Sequence, residues 1–249
     1  MPSAIREFSD RAVDPNVVGF LHTPASPNGK GIVLSHGAGG NAQAPLLRAL
    51  AETFAKAGFT ILRCNLPYRQ ARSFGPPGPA DAARDRAGLR NALAALRKIM
   101  GEKIGEKVMG APLLAEVARS GDFDSHSLGL RIYLGGHSYG GRQSSMLCAE
   151  EPDLVAGLLL LSYPLHPPHR AEQQRTQHLP DLRTPTLFVH GTRDPFGTAE
   201  ELQRAMKMIP AKTKLLTVEG AGHDLGLKGK GTNSELPAAI LENFQSLGE

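Results

Sequence analysis

The sequence predicts an α/β protein in which a central, mostly parallel sheet carries helices on both faces and has little cap over it. Three observations lead there. Short apolar runs alternate along the chain with segments whose apolar residues recur at helical spacing. One run, Gly-Leu-Leu-Leu-Leu-Ser at residues 157–162, is apolar at four successive positions, as suits a strand buried on both faces of a parallel sheet. Glycine- and proline-rich loops follow several of these runs, and the loops at the carboxyl ends of strands are where open α/β sheets place their sites.

The N-terminal residues to about Asp14 read as an edge strand or irregular arm, and residues 17–21 as a second strand. A Pro/Ser/Asn/Gly cluster at 24–29 then turns the chain, which suits an antiparallel hairpin at the sheet's edge. Residues 31–35 form a strand that ends in His36-Gly37-Ala38-Gly39-Gly40, and Leu46, Leu47, Leu50, Ala51 and Phe54 give the helix after it. Residues 59–64 are the next strand. The stretch 65–79, rich in Pro, Gly and Arg, is expected to be a long loop bordering a pocket. From Asp81 to about Met100 the spacing of Leu89, Leu93, Leu96 and Met100 predicts a helix with one apolar stripe. Residues 101–127 read as an insertion or a continuation of the helical layer, with a short helix near 112–118.

Residues 132–137 supply a strand, residues 142–150 a helix, and residues 157–162 the all-apolar strand. The segment 163–184, with four prolines and three histidines, is too short for a large lipid-binding lid. A strand at 185–190 leads into Gly191-Thr192-Arg193-Asp194-Pro195-Phe196-Gly197, and Thr198 with Glu201 reads as a capping box opening a helix that buries Leu202, Met206 and Ile209. Residues 214–218 are the last strand. A final helix turns Leu236, Ile240, Phe244 and Leu247 inward.

With 249 residues, 41% of them hydrophobic, one substantial core is within reach, and a single domain over residues 1–249 is expected. The N-terminus lacks the apolar core of a secretory signal and no run is long enough to span a bilayer, so a cytoplasmic, soluble protein without a membrane partner is expected. Cys64 and Cys148 lie inside apolar segments, as reduced core thiols do, rather than in a disulfide framework or a metal site. The formal charge is +4, but the basic residues are dispersed and aromatic residues make up only 5%. That argues against nucleic-acid binding, which needs a concentrated basic face, often with stacking rings. Local basicity at Tyr68–Arg72 and at residues 166–178 would tolerate an anionic substrate.

The chemistry is carried by Gly136-His137-Ser138-Tyr139-Gly140 at the end of the strand 132–137. Gly-x-Ser-x-Gly between strand and helix reads as a nucleophile elbow, a turn so cramped that the residues two positions either side of the serine must be small. The helix that follows offers free N–H groups and a partial positive charge. A serine hydroxyl is a poor nucleophile until a neutral imidazole accepts its proton, and the imidazole needs a carboxylate to fix its tautomer. Asp194 and His223 each stand in a loop at the carboxyl end of a strand, and the order Ser138, Asp194, His223 is the one associated with α/β-hydrolases. Asp224 is a rival acid, but its position beside His223 prevents its carboxylate from swinging readily onto that ring.

The loop at residues 36–41 admits two readings. Gly37-x-Gly39-x-x-Ala42 formally matches a dinucleotide fingerprint, although the next strand lacks the acid expected on a ribose. The alternative is an oxyanion loop, with a backbone N–H near Ala38 facing a substrate carbonyl and that of Tyr139 completing the pair. Only the second reading also uses Ser138. His36, Gly37, Arg69 and His137 are placed at the substrate pocket, the two histidines holding loops rather than acting as bases.

The segments His36-Gly37-Ala38-Gly39-Gly40, Asn65-Leu66-Pro67-Tyr68-Arg69, Gly136 through Arg142, His190 through Gly197 and Gly222-His223-Asp224 resemble those of α/β-hydrolases over nearly the whole chain. The resemblance is nearest to the dienelactone-hydrolase-like group that includes the KANL3/Tex30-type proteins. It implies a serine hydrolase fold of eight or so strands with little cap and no metal or organic cofactor, acting on a small ester or related acyl compound. It does not imply a particular substrate, because the group includes members better known as parts of larger assemblies. Many dienelactone hydrolases use cysteine where Ser138 stands, which sets this chain apart from their substrate. A non-catalytic scaffold on a hydrolase fold and an NADP-dependent oxidoreductase are the competing classes.

Overall fold

The hairpin expected at the start of the chain is β1 (Ala4–Asp10) paired antiparallel with β2 (Val17–Thr23). β2 in turn pairs antiparallel with β4 (Thr60–Asn65). Beyond it every pairing is parallel, through β3 (Lys30–Ser35), β5 (Arg131–His137), β6 (Leu158–Leu161), β7 (Thr186–Gly191) and β8 (Thr213–Val218). In this computed structural model, which describes residues 3–108, 129–226 and 234–248, they form one eight-stranded sheet in the order β1-β2-β4-β3-β5-β6-β7-β8.

The helices are α1 (Pro45–Lys56), α2 (Pro67–Ala71), α3 (Asp81–Val108), α4 (Tyr139–Glu150), α5 (Ala199–Met206) and α6 (Leu236–Gln245). They divide the core into two layers. On one face, Leu47, Leu50 and Phe54 of α1 and Ile240 and Phe244 of α6 pack with Ile32, Leu34, Leu159 and Leu161 of the sheet. On the other, the α3 stripe Leu89, Leu93, Leu96 and Met100 packs with Leu147 of α4, Leu202 of α5, and Val33, Leu134, Leu158 and Leu160. Alternate leucines of β6 thus enter opposite layers, which is why its four residues are all apolar and all fully buried. Burying one leucine is worth roughly 2 kcal/mol.

Local chemistry sets the element ends. Thr198 Oγ1 accepts the N–H of Glu201, and the Glu201 carboxylate accepts the N–H of Thr198, closing the capping box at α5. α1 and α6 each have proline in the first turn, where a missing N–H costs nothing. Two expectations are revised and one is not tested. Residues 65–79 are not a plain loop, because α2 occupies five of them, opened by Pro67 at its first turn. α3 continues past Met100 to Val108. The short helix read near 112–118 lies outside the described residues. Residues 163–184 form no lid: apart from a 3-10 turn at Leu179–Asp181 they are irregular, and they bury Tyr163, Leu165, Leu179 and Leu182 in the α3-side layer.

Cys64 and Cys148 are buried and free, and burial pushes both thiols up to about 12, so neither is a ready nucleophile. Among the described residues no helix is long and apolar enough to cross a membrane.

Candidate active site

Ser138 is the hinge between β5 and α4. Its backbone stands at φ 51° and ψ −117°, a strained conformation for a residue with a side chain, costing on the order of 1–3 kcal/mol. Hydrogen bonds on both sides hold it there. Its N–H donates to the Leu161 carbonyl of β6 at 2.8 Å, and its carbonyl accepts the N–H of Arg142 at 2.9 Å. The small neighbours read from the sequence are sterically required: a Cβ at Gly136 would meet Ser35 Oγ at 2.4 Å, and one at Gly140 would meet the His36 carbonyl oxygen at 2.5 Å.

The loops after β7 and β8 bring Asp194 and His223 to this serine. They lie against each other because Gly191 has no side chain; a Cβ there would stand 2.3 Å from the Ala221 carbonyl oxygen. The Arg193 N–H then donates to that carbonyl at 2.9 Å, and the Gly220 N–H to Thr192 Oγ1 at 2.9 Å. The Asp194 side chain is fully buried. Its Oδ1 accepts the Phe196 N–H at 2.9 Å and its Oδ2 faces His223 Nδ1 at 2.8 Å. The Nδ1 proton of His223 therefore points at the carboxylate, and Nε2, 2.8 Å from Ser138 Oγ, is left as the acceptor for the serine proton. Phe196 lies 4.3 Å from the His223 ring and His137 5.1 Å, flanking the imidazole. Asp224 does not compete, since its Oδ1 accepts the N–H of Gly226 at 3.1 Å within its own turn.

Ser138 and His223 open into a cavity of about 670 Å³ lined by the loop Gly37, Ala38, Gly39 and Gly40, by residues of the 41–47 stretch, and by His137, Phe196 and Asp224. The volume is that of a small-molecule site. The floor is apolar, from Ala44, Pro45, Leu46 and Leu47 at the start of α1, with Asn41 and Gln43 at its polar edge. Gly37 presses on the elbow: a Cβ there would lie 2.8 Å from His137 Nδ1 and 3.3 Å from Ser138 Cβ.

Of the four residues placed at the pocket, Gly37 and His137 line the cavity, whereas His36 and Arg69 do not. His36 is fully buried; its Nδ1–H donates to the Gly37 carbonyl at 2.9 Å and its Nε2 accepts the Leu66 N–H at 3.1 Å. Burial holds it neutral, with its pKa lowered to about 4. Arg69 turns into the protein, where Nε donates to Gly40 O and Nη2 to Ala38 O and Gly75 O, all at 2.9 Å. A guanidinium so engaged with loop carbonyls does not face a substrate. Among the described lining residues there is no lysine or arginine, so the local basicity at Tyr68–Arg72 and at residues 166–178 is not brought to this cavity. Arg72 is paired with Asp81 at 2.5 Å, and His178 is buried against Ser145 Oγ at 2.8 Å.

Sequence reasoning missed Asp85, whose carboxylate accepts the Tyr139 hydroxyl at 2.7 Å and the Tyr68 N–H at 3.0 Å. A signal was present. Asp85 stands four residues before Leu89, so it continues the apolar stripe of α3, and an acid on a buried stripe needs dedicated partners. The floor residues 41–47 and Phe196 carried no such mark. Among the described residues no group of three His, Cys, Asp or Glu is placed to hold a metal ion.

The chain belongs to the alpha/beta hydrolase domain family, whose model matches residues 28–242. Among solved structures it is similar to a dienelactone hydrolase from Anabaena variabilis, with a TM-score of 0.69 and 20% identity over 99% of both chains. A Xanthomonas campestris protein described as an α/β serine hydrolase without lid matches at 0.65 and 14%, over 99% of this chain and 95% of that one. A serine hydrolase homologue from Coxiella burnetii matches at 0.61 and 17%, over 98% of each. The chain is thus an α/β hydrolase in fold.

Proposed function

We propose that this protein is a carboxylic-ester hydrolase that cleaves a small ester or related acyl compound by way of an acyl-enzyme. The observation that carries the reading is the hydrogen-bonded chain from Ser138 Oγ through His223 to the buried Asp194, opening on a cavity of small-molecule size. Ser138 Oγ attacks the carbonyl carbon as its proton passes to His223 Nε2, and Asp194 stabilises the resulting imidazolium. The negative charge that develops on the carbonyl oxygen is received by the N–H groups of Tyr139 and Ala38. His223 then returns the proton to the departing alcohol, and water, activated by the same imidazole, releases the acid and restores Ser138. The scheme uses no metal or organic cofactor.

The substrate is small, and the apolar floor suits a short acyl group. On its motifs we place the chain nearest the KANL3/Tex30-type group, as a cytoplasmic enzyme of one domain over residues 1–249. The test is labelling with a fluorophosphonate, followed by a screen of p-nitrophenyl esters of graded chain length with lactones and thioesters alongside. Wild type should be labelled and Ser138→Ala should not. Labelling that persists in Ser138→Ala would move the nucleophile elsewhere, and a folded wild type that neither labels nor turns over any ester would point to a binding protein.

A further inference from the structure

The two N–H groups assigned to the oxyanion come from distant parts of the chain, Ala38 after β3 and Tyr139 at the start of α4. Both are tied to one carboxylate. The Tyr139 hydroxyl donates to Asp85 Oδ2 at 2.7 Å, and Asp85 Oδ1 accepts the backbone N–H of Tyr68 at 3.0 Å in the first turn of α2. Tyr68 reaches back to the glycine loop, its hydroxyl donating to the Ala38 carbonyl at 2.8 Å and lying 3.3 Å from that of Gly37. The Tyr68 and Tyr139 rings meet edge to face, 5.8 Å apart at 87°.

These contacts set the direction of the donors. In a trans peptide the N–H points opposite to the carbonyl. The Gly37 carbonyl, whose peptide carries the Ala38 N–H, accepts from His36 Nδ1 at 2.9 Å and from the Gly40 N–H at 3.0 Å. The next carbonyl, of Ala38, is held by Tyr68 and by Arg69 Nη2 at 2.9 Å. Both carbonyls are thereby fixed, and their N–H groups are turned the other way, in a loop that lines the cavity.

Asp85 is fully buried, and burial raises its carboxyl above the ordinary range. A leucine at this point of the α3 stripe would pack without that desolvation cost. We propose that Asp85 is a positioning residue that keeps the two walls of the oxyanion site in register, acting through Tyr139 on one side and Tyr68 on the other. This rests on the acyl-transfer reading above.

The test measures kcat, KM and the Ki of a boronic-acid transition-state analogue for Tyr139→Phe, Tyr68→Phe, the double variant and Asp85→Leu, with thermal unfolding of each. Tyr133→Phe, which alters a buried phenol near the amino end of β5, is the control. The two single variants should each lose roughly tenfold in kcat with KM within about twofold, less than the ~10²–10³ lost when a donor itself is removed. The analogue's Ki should rise by the same factor as kcat falls. The double variant should lose less than the product of the two, as residues in ring contact within one hydrogen-bond network do. Asp85→Leu should lose more kcat than either single variant while remaining folded. If both phenylalanine variants keep wild-type kcat and analogue affinity, or lose only melting temperature, the inference is overturned; should Asp85→Leu fail to fold, those two variants decide it alone. A wild type inert to fluorophosphonate and esters overturns the acyl-transfer reading and this inference together, whereas an active wild type with unaffected variants overturns this inference only.

Discussion

His137 Nε2 donates a hydrogen bond to the backbone carbonyl of His223 at 2.8 Å. The residue before Ser138 therefore holds the loop that carries His223, across 86 positions of sequence. The bond fixes the height of the imidazole over Ser138 from below, while Phe196 flanks the ring. A neutral hydrogen bond of this kind contributes about 1 kcal/mol. His137→Ala should accordingly reduce kcat about fivefold to tenfold, and His137→Gln, which can still donate, should recover part of the loss. Steady-state kinetics on one ester for the three proteins checks this.

The buried carboxylate at Asp194 and the self-contained turn at half-buried Asp224 predict a ranking. Asp194→Asn leaves the shape intact but reverses the tautomer of His223, so kcat should fall on the scale of ~10⁴ known for the equivalent change in a protease triad. Asp224→Asn should change kcat by less than about tenfold, because its carboxylate caps the Gly226 N–H and does not reach the ring. The opposite ranking would make Asp224 the orienting acid.

Arg69 is a structural cation. Arg69→Ala should remove the donors on Ala38, Gly40 and Gly75 and destabilise the fold by roughly 4 kcal/mol or more, since bonds from a charged donor are worth roughly 1.5–3 kcal/mol each. Any drop in kcat/KM should be equal for neutral esters and for carboxylate-bearing esters of the same size. A selective loss on the charged series would assign Arg69 to substrate recognition after all.

Stability should fall between neutral pH and pH 4. His22, His36 and His178 each have pKa values lowered from 6.5 to about 4, in every case chiefly by burial. A depressed histidine contributes stability that is fully present above its unfolded value near 6.5 and is lost as the pH falls toward the folded value near 4. In that window the unfolded chain binds more protons than the native one. Asp85, raised by burial, acts in the opposite sense just above the ordinary carboxylate range. Urea unfolding at pH 7 and pH 5 should show the decline, and His36→Gln, which can supply both a donor and an acceptor, should reduce it by about a third if the three histidines contribute alike.

If the protein hydrolyses esters as proposed, the cleft should favour short acyl groups. No residue of 163–184 lines the cavity, and among the described residues its apolar side chains are those of Ala38, Ala44 to Leu47 and Phe196. An added methylene gains at most ~0.8 kcal/mol, and only when it is buried. kcat/KM should therefore peak among short p-nitrophenyl esters. A continuous rise out to long chains would require a further apolar surface.

What was legible in the sequence was what depends on neighbours along the chain. Gly136 and Gly140 around Ser138, the leucines of β6, and Thr198 with Glu201 each announce their structure locally, and all are where their patterns place them. α2 was not legible, because five residues cannot display a helical period and Pro67 reads equally well as a turn. Arg69 was misread for a related reason: a loop arginine looks solvated until one knows that the carbonyls of Ala38 and Gly40, about 30 residues earlier, turn toward it. The cavity floor was hidden for the same reason, since Ala44 to Leu47 look like ordinary core residues of a helix start.

That floor is contiguous in the chain. Asn41 and Gln43 to Leu47 form much of the cavity lining, yet Ser138, Asp194 and His223 emerge from β5, β7 and β8, and the bonds that hold them run to Leu161, Phe196 and one another. On the proposed reading, much of what chooses the substrate is thus written in a different paragraph of the gene from the bond-breaking chemistry. A short cassette of codons could be randomised to retarget such an enzyme, leaving its reactive centre as inherited.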